Sequence, residues 1–379
     1  MRPERRALVA AALSIVVLAA CTHEAGPPVQ QPANLPLEGT LLVGSGQSFL
    51  GVGLYDLATR KLTRIRGVPA AGGSGFGFAV GFDFFAGAFL RAASSAPPSP
   101  SPSAVVMVES KLYLLQGGQA VRVGPRYRGG VLVAVAGRHV VASRCFPGSG
   151  GSGVLDLDHP NQWQHLGPVC AQAVSPDGTE VAVTAPIVQQ GGLFGGGEFT
   201  YGTKVWATPV DGTGSRRLLV DVSAVPGIQR SMVADPQVLS VAWGRPGLAV
   251  AVGNGQSGPW ALVVAPPSGP PLVVPLGQAS PFDLAWQPNG DLLAFTDCYQ
   301  CTTFGRNPAH TADVRILDPA TGALRQVAAA SNFLTGLVWS PTGTVVATQT
   351  SDHDVLFADV AGRTVVRRSV DALPEDWTG

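Results

Sequence analysis

Four stretches of this chain are close variants of one another: Gln172-Ala-Val-Ser-Pro-Asp-Gly178, Val241-Ala-Trp-Gly-Arg-Pro-Gly247, Leu284-Ala-Trp-Gln-Pro-Asn-Gly290 and Leu337-Val-Trp-Ser-Pro-Thr-Gly343. Each is followed by a short apolar run. A strand, a tight turn and a second strand, recurring every forty to seventy residues, describe a unit that cannot bury its apolar face alone and must stack on copies of itself. The architecture that meets this demand with short antiparallel strands is the β-propeller. The 48 glycines and 32 prolines fit a chain built from short strands and many turns.

Reading the chain for strand quartets predicts an all-β fold: a single propeller of seven blades, each of four antiparallel strands. Blade six is the clearest, at Asp283–Trp286, Leu292–Thr296, Asp313–Leu317 and Ala323–Val327, with Asn289-Gly290 and Thr321-Gly322 as tight turns. Blade seven repeats it at Gly336–Trp339, Thr344–Gln349, Asp354–Asp359 and Arg363–Arg368. Blades five, four and three are read at Val238–Pro275, Cys170–Val220 and Val131–Leu166, and a less regular blade two at Phe76–Val123. Prolines 97, 98, 100 and 102 make Ser94–Ser103 an insertion, because proline cannot donate to a strand ladder. Blade one shows strands at Thr40–Val43, Gly51–Asp56 and Leu62–Arg66 but no inner strand. Glu375-Asp-Trp377 falls where other blades begin, so the C-terminal segment is predicted to close the ring, removing the exposed edges of an open sheet.

The Trp-Ser-Pro-x-Gly type of turn, as in Val338-Trp-Ser-Pro-Thr-Gly343 and Val174-Ser-Pro-Asp-Gly178, resembles the WD40-like repeats of TolB-type propellers. The resemblance covers most of the chain from blade three onward and implies fold more than function, because such blades serve in scaffolds, ligand binders and peptidase accessory domains. The Gly-His and Trp-Asp markers of eukaryotic WD40 repeats are absent.

Residues 1–20 read as a signal peptide: Arg2, Arg5 and Arg6 give a positive start, and Ala7–Leu18 an apolar stretch short for a bilayer-spanning helix. Its Leu18-Ala-Ala-Cys21 ending resembles the lipobox of bacterial lipoproteins, which implies that Cys21 becomes the acylated first residue of a membrane-anchored, extracytoplasmic protein. A plain secretory signal ending near a cysteine is the competing reading, and Arg5-Arg6 is a weak hint of twin-arginine export. Residues 21–36 are rich in proline and small polar residues and form a tether. The propeller occupies 37–379.

Charged residues make up only 13% of the chain, with 25 basic and 25 acidic. Subtracting three arginines and Glu4 with the signal leaves 22 basic and 24 acidic residues. A near-neutral surface argues against nucleic acid, which requires a basic stripe.

In a propeller blade the first and third strands run one way and the second and fourth the other. Connections from second to third strand, and from fourth strand to the next blade, therefore share one face. The long connections Gln189–Gly202, Val222–Gln237 and Cys298–Thr311 all fall there and read as irregular loops, so this is the expected binding surface. Its candidate residues are Phe194, Phe199, Tyr201, Arg230, Tyr299, Arg306 and His310. Besides Cys21 the chain has four cysteines, an even number that favours disulfides in an exported protein. Cys145 and Cys170 come to the same face of adjacent blades, so a bond between them is predicted, and Cys298–Cys301 is read as a second. A redox or metal role for Cys298-Tyr-Gln-Cys301 lacks a second such pair, a helix start, and the histidine of a haem attachment, since Thr302 follows.

No catalytic residue, metal site or cofactor is assigned. Gly148–Gly153 fits a dinucleotide spacing without the helix that motif needs, and reads as a loop. Asp352-His353-Asp354 reads as surface. Trp243, Trp286 and Trp339 hold one position of three inner strands and read as inter-blade packing. The sequence thus favours a non-catalytic binding or scaffold protein whose partner is an envelope protein, peptide or glycan. The alternatives are a hydrolase or lactonase-like propeller enzyme with its site at the central channel mouth, and a structural envelope component. Several carboxylates or histidines converging on the channel would favour the enzyme.

Overall fold

The computed structural model describes residues 35–44, 51–68, 86–89, 103–145, 151–186, 188–190, 198–200, 202–228, 236–253, 259–299, 311–330, 334–350, 352, 354–362, 364–370 and 372–378. Alternating apolar positions bounded by glycine turns produce four-stranded antiparallel sheets. Blade one holds β1 (Thr40–Gly44), β2 (Gly53–Asp56) and β3 (Lys61–Arg64); blade two holds β4 (Ala86–Phe89), β5 (Ala104–Val108), β6 (Lys111–Gln116) and β7 (Gln119–Val123). Blade three is β8 (Val131–Ala136), β9 (His139–Arg144), β10 (Gly151–Asp156) and β11 (Gln164–Gly167). Blade four is β12 (Cys170–Val174), β13 (Glu180–Thr184), β16 (Lys204–Pro209) and β17 (Arg217–Asp221), interrupted after β13 by a hairpin of β14 (Val188–Gln190) and β15 (Glu198–Thr200). Blade five is β18 (Gln237–Gly244), β19 (Gly247–Gly253), β20 (Trp260–Ala265) and β21 (Leu272–Gly277). Blade six is β22 (Ala279–Trp286), β23 (Leu293–Tyr299), β24 (Ala312–Asp318) and β25 (Ala323–Ala330); blade seven is β26 (Leu334–Trp339), β27 (Val345–Thr350), β28 (Asp354–Asp359) and β29 (Val365–Ser369).

The last strand, β30 (Leu373–Thr378), pairs antiparallel with β1 and supplies the missing inner strand of blade one. The chain is therefore a seven-bladed β-propeller closed by its own C-terminus, as the sequence predicts. Trp377 fixes this closure: its ring is 2% exposed, packs edge-on against Phe357 of blade seven, and its indole N–H donates to the Glu38 carbonyl at 2.9 Å.

Burial is organised by seams. Among the described residues, seven apolar clusters each join two neighbouring blades, and the cluster of Leu41, Val43, Tyr55 and Trp377 with Val345, Ala347 and Phe357 joins blade seven back to blade one. Each fully buried Phe or Leu on such a seam contributes about 1.5–3 kcal/mol. The tryptophans of the repeat stitch the seams: Trp286 donates to the carbonyl of Ala242 at 3.3 Å and Trp339 to that of Ala285 at 2.9 Å, each on the inner strand of the preceding blade. Trp243 packs in the cluster shared by blades four and five.

The Pro-x-Gly turns of blades six and seven touch on the plain face. Gln287 donates to the Gly343 carbonyl at 2.7 Å, and a Cβ at Gly343 would lie 2.9 Å from Gln287 Cγ on a backbone with φ +70°. Blade five departs from the pattern. Gly244 pairs directly with Gly247, leaving only Arg245-Pro246 in the turn, and a Cβ at Gly244 would overlap Trp286 at 2.3 Å.

Three expectations are corrected. Part of the glycine-rich stretch at 148–153 is strand, because Gly151–Gly153 open β10; bare backbone is needed where the Tyr127 ring comes within 3.0 Å of a Cβ at Gly153. The Gln189–Gly202 segment is not an irregular loop throughout, since β14 and β15 pair within it. The Val222–Gln237 connection is partly core: Val222–Ala224 form a 3-10 turn capped by Asp221, and Val222, Val225 and Ile228 are buried between blades four and five. Apolar side chains at those positions pull the segment inward. The proline-rich insertion lies outside the described residues, in the sequence between β4 and β5.

Candidate functional site

The strand directions put the disulfide where the sequence analysis places it. Cys145 follows β9 and Cys170 opens β12, and the two are bonded across the seam between blades three and four with Cα atoms 5.5 Å apart. Beneath the bond, Ser143 Oγ lies 2.8 Å from Cys145 Sγ and 3.0 Å from Ser152 Oγ. Ser152 in turn donates to the Val169 carbonyl and accepts from the Ala171 amide, both at 2.7 Å, so the buried hydroxyl is satisfied. Cys298, at the end of β23, is disulfide-bonded as well. Cys301 lies outside the described residues.

Of the seven aromatic and basic residues expected on this face, the side chain of only one is described. Tyr299 ends β23, is 37% exposed, and its amide donates to the Thr311 carbonyl at 3.2 Å. Phe199 lies in β15. Phe194, Tyr201, Arg230, Arg306 and His310 lie outside the described residues, as does Cys21. Of the Asp352-His353-Asp354 triplet, both carboxylates pair with one partner, Arg367, with Asp352 at 2.9 Å from its guanidinium. That geometry is a surface ion pair.

The inner strands carry a feature absent from the sequence reading. In six blades the pairing between the first and second strand skips a step, leaving Val133, Gln172, Leu239, Asp283-Leu284, Gly336-Leu337 and Glu375 bulged. Bulges re-aim side chains. At Asp283 the backbone takes φ +39°, a left-handed conformation uncommon for aspartate, and its carboxylate accepts from the Gly336 amide. The residue keeps solvent-accessible surface, yet protein crowds its carboxylate. Loss of bulk water therefore raises its pKa to about 6, with the Gly336 hydrogen bond pulling the other way.

A second group, also unforeseen, sits in blade six near the loop-rich face. Asp297 and Asp313 are directly paired across β23 and β24, are 2% and 3% exposed, and share the Arg315 guanidinium, at 2.8 Å to Asp297 and 3.2 Å to Asp313. Gln326 donates to Asp313 at 3.0 Å. The Arg315 Nε and Asp297 Oδ2 atoms are close but poorly aligned, so this contact is an ion pair without a well-formed hydrogen bond. Burial is the largest influence on Asp297 and raises its pKa to about 7; Arg315 opposes the rise and the Asp313 charge adds to it. The sequence signal was present but weak: Leu293, Phe295 and Asp297 alternate on one side of a strand, which places a carboxylate at a buried position. Among the described residues, no group of three or more His, Cys, Asp or Glu side chains is arranged to hold a metal ion.

No protein-family profile matches the chain, and no curated protein matches it. Solved structures do. A putative TolB from Agrobacterium tumefaciens aligns over 78% of this chain and 91% of its own, at 12% identity and TM-score 0.44. An oligogalacturonate lyase in complex with manganese aligns over 70% and 73%, at 13% identity and TM-score 0.45. A puromycin hydrolase aligns over 93% of this chain and 57% of its own, at 18% identity and TM-score 0.48. The assignment of the fold rests on the strand topology described above.

Proposed function

We propose that this protein is a lipid-anchored, extracytoplasmic propeller that binds a partner, an envelope protein, peptide or glycan, through its loop-rich face and without catalysis. The observation that carries the reading is the asymmetry of the disc. The β14–β15 hairpin, the Cys145–Cys170 bond and the bonded Cys298 all belong to one face, while the repeated turns of the other are short, with those of blades six and seven in contact. Loops held by a rigid scaffold are where recognition concentrates. Disulfides persist in oxidising compartments, which supports export, and Leu18-Ala-Ala-Cys21 supports the anchor.

The test is recovery of partners from the native membrane by the full-length protein and by a variant lacking residues 191–197 and 302–310. Loss of the partners with the deletion is expected; equal recovery would sink the reading. For the anchor, globomycin-sensitive processing and loss of membrane association in Cys21→Ser are expected together. A Cys21→Ser protein that stays on the membrane defeats it.

The second reading, a channel enzyme, has one observation in its favour: Asp283, a carboxylate held in a strained backbone on the channel wall with its pKa raised. Hydrolysis of a substrate panel that is abolished in Asp283→Ala, with the fold intact, would establish it.

A further inference from the structure

The chain is neutral as a whole, but its charges are unevenly spread. Between Gly51 and Gly130, the stretch carrying β2, β3 and blade two, stand nine basic residues and three acidic ones. From Val131 to Thr378, which carries blades three to seven and the closing strand, stand thirteen basic and nineteen acidic. Nine against three leaves six positive charges in excess on one side of the ring; thirteen against nineteen leaves six negative ones on the rest. These counts cover every residue of both stretches, so pairing within either one does not alter them.

The positive excess collects on the outer rim. β3 and β7 are the outermost strands of blades one and two. They meet where Arg66 bridges Gln119 in parallel and the Ala120 amide donates to the Arg66 carbonyl at 3.1 Å. Lys61 and Arg64 on β3, Arg66 after it, Arg122 on β7, and Arg126 and Arg128 beyond it are all exposed. Val121 beside Arg122 is 60% exposed. A rim of one sign attracts a surface of the other. The chain also enters the disc here, because Leu35 and Leu37 pack in the cluster that joins blades seven and one. Cys21 stands fourteen residues before Leu35, so a lipid on it would hold blade one within about 50 Å of the membrane.

We propose that the basic rim of blades one and two rests on the anionic phospholipid headgroups of the membrane to which the chain is anchored, and holds the disc on edge. The inference rests on the anchor reading given above. A lipid fixes the protein to the surface, and the rim orients it. On edge, the disc opens its loop-rich face sideways, clear of the lipid and available to a partner. Blade five, across the ring, lies farthest from the membrane; between Gln237 and Gly277 its one ionisable side chain is Arg245.

Headgroup proximity tests the orientation. A dye is placed on Val121→Cys in β7 or on Ser268→Cys in the exposed β20–β21 turn of blade five. Energy transfer to acceptor-labelled headgroups is then measured for the lipidated protein on phosphatidylcholine vesicles, with and without phosphatidylglycerol. Phosphatidylglycerol is expected to raise transfer at position 121 and leave position 268 low, and the rise should vanish in about 1 M salt, where charges are screened beyond about 3 Å. Binding of the unlipidated Cys21→Ser protein to phosphatidylglycerol vesicles is expected to weaken at least about tenfold when Lys61, Arg66, Arg122 and Arg126 are changed to Glu. Both proteins retain residues 1–20, so the bases there cancel. Equal transfer at the two positions, no response to phosphatidylglycerol, or undiminished binding after the four substitutions would each overturn the inference. So would loss of partners from the membrane pull-down in the four-Glu variant with vesicle binding unchanged, which would assign the rim to an acidic protein. Attachment of the native protein to phosphatidylcholine alone reads the anchor separately: its absence defeats the anchor, while the Cys21→Ser comparison still decides the rim.

Discussion

Asp283 Oδ2 accepts a hydrogen bond from the Gly336 amide at 3.1 Å, joining the inner strands of blades six and seven across the channel wall. Both residues sit in bulges, and both have positive φ. Gly336 is hemmed in on its other side by blade one: a Cβ there would lie 2.7 Å from Leu373 Cδ1 and 2.8 Å from the Pro374 carbonyl. Three successive inner strands therefore meet at one glycine. Gly336→Ala is expected to destabilise the fold by about 1–3 kcal/mol, from overpacking together with a φ of +71° that disfavours a side chain. Denaturant midpoints measure it.

The raised pKa of Asp283 has a defined sign for stability. An acid whose folded pKa, about 6, exceeds the unfolded 3.8 holds its proton longer in the native state. Its contribution is present at low pH and is lost as pH rises from about 4 to about 6. Asp283→Asn should flatten that part of the stability profile relative to wild type. Urea melts at several pH values check it; parallel profiles would show that the carboxyl titrates normally.

Ring closure depends on Trp377. Trp377→Ala removes a buried ring from the seam between blades seven and one and leaves the Glu38 carbonyl without its indole donor. The expected cost is about 3–5 kcal/mol, measured as a shift in the unfolding transition.

Cys145 and Cys170 are 25 residues apart in sequence. Replacing both with serine is expected to lower stability by about 2–4 kcal/mol, and reductant should then cost the variant less stability than it costs the wild type.

Arg315→Met removes the guanidinium that the buried Asp297 and Asp313 share. The expected loss is about 3–5 kcal/mol at high pH. It should shrink on acidification, because protonated carboxyls no longer need the partner. Melting temperatures of variant and wild type at pH 5 and pH 8 provide the comparison.

The strands of blades three to seven were legible because alternation and turn chemistry are local: Ser340 and Gly343, three residues apart, close their turn with a 2.8 Å bond that the Pro-Thr between them already announces. The closing strand was legible too, through a blade that lacked an inner member. The Cys145–Cys170 bond followed from strand direction together with the even number of cysteines besides Cys21. Less visible was the inward turn of Val222–Ile228, where loop composition hides apolar residues that only a neighbouring blade can bury.

The sequence by itself therefore determined the all-β class, the blade repeat, the closure and the face on which the cysteines meet, since each depends on periodicity and connection order. Tertiary structure alone decided which polar residues would matter. Asp283 and Asp297 look like any other acids in the chain, and they acquire their raised pKa values only when the ring assembles and crowds protein around their carboxylates.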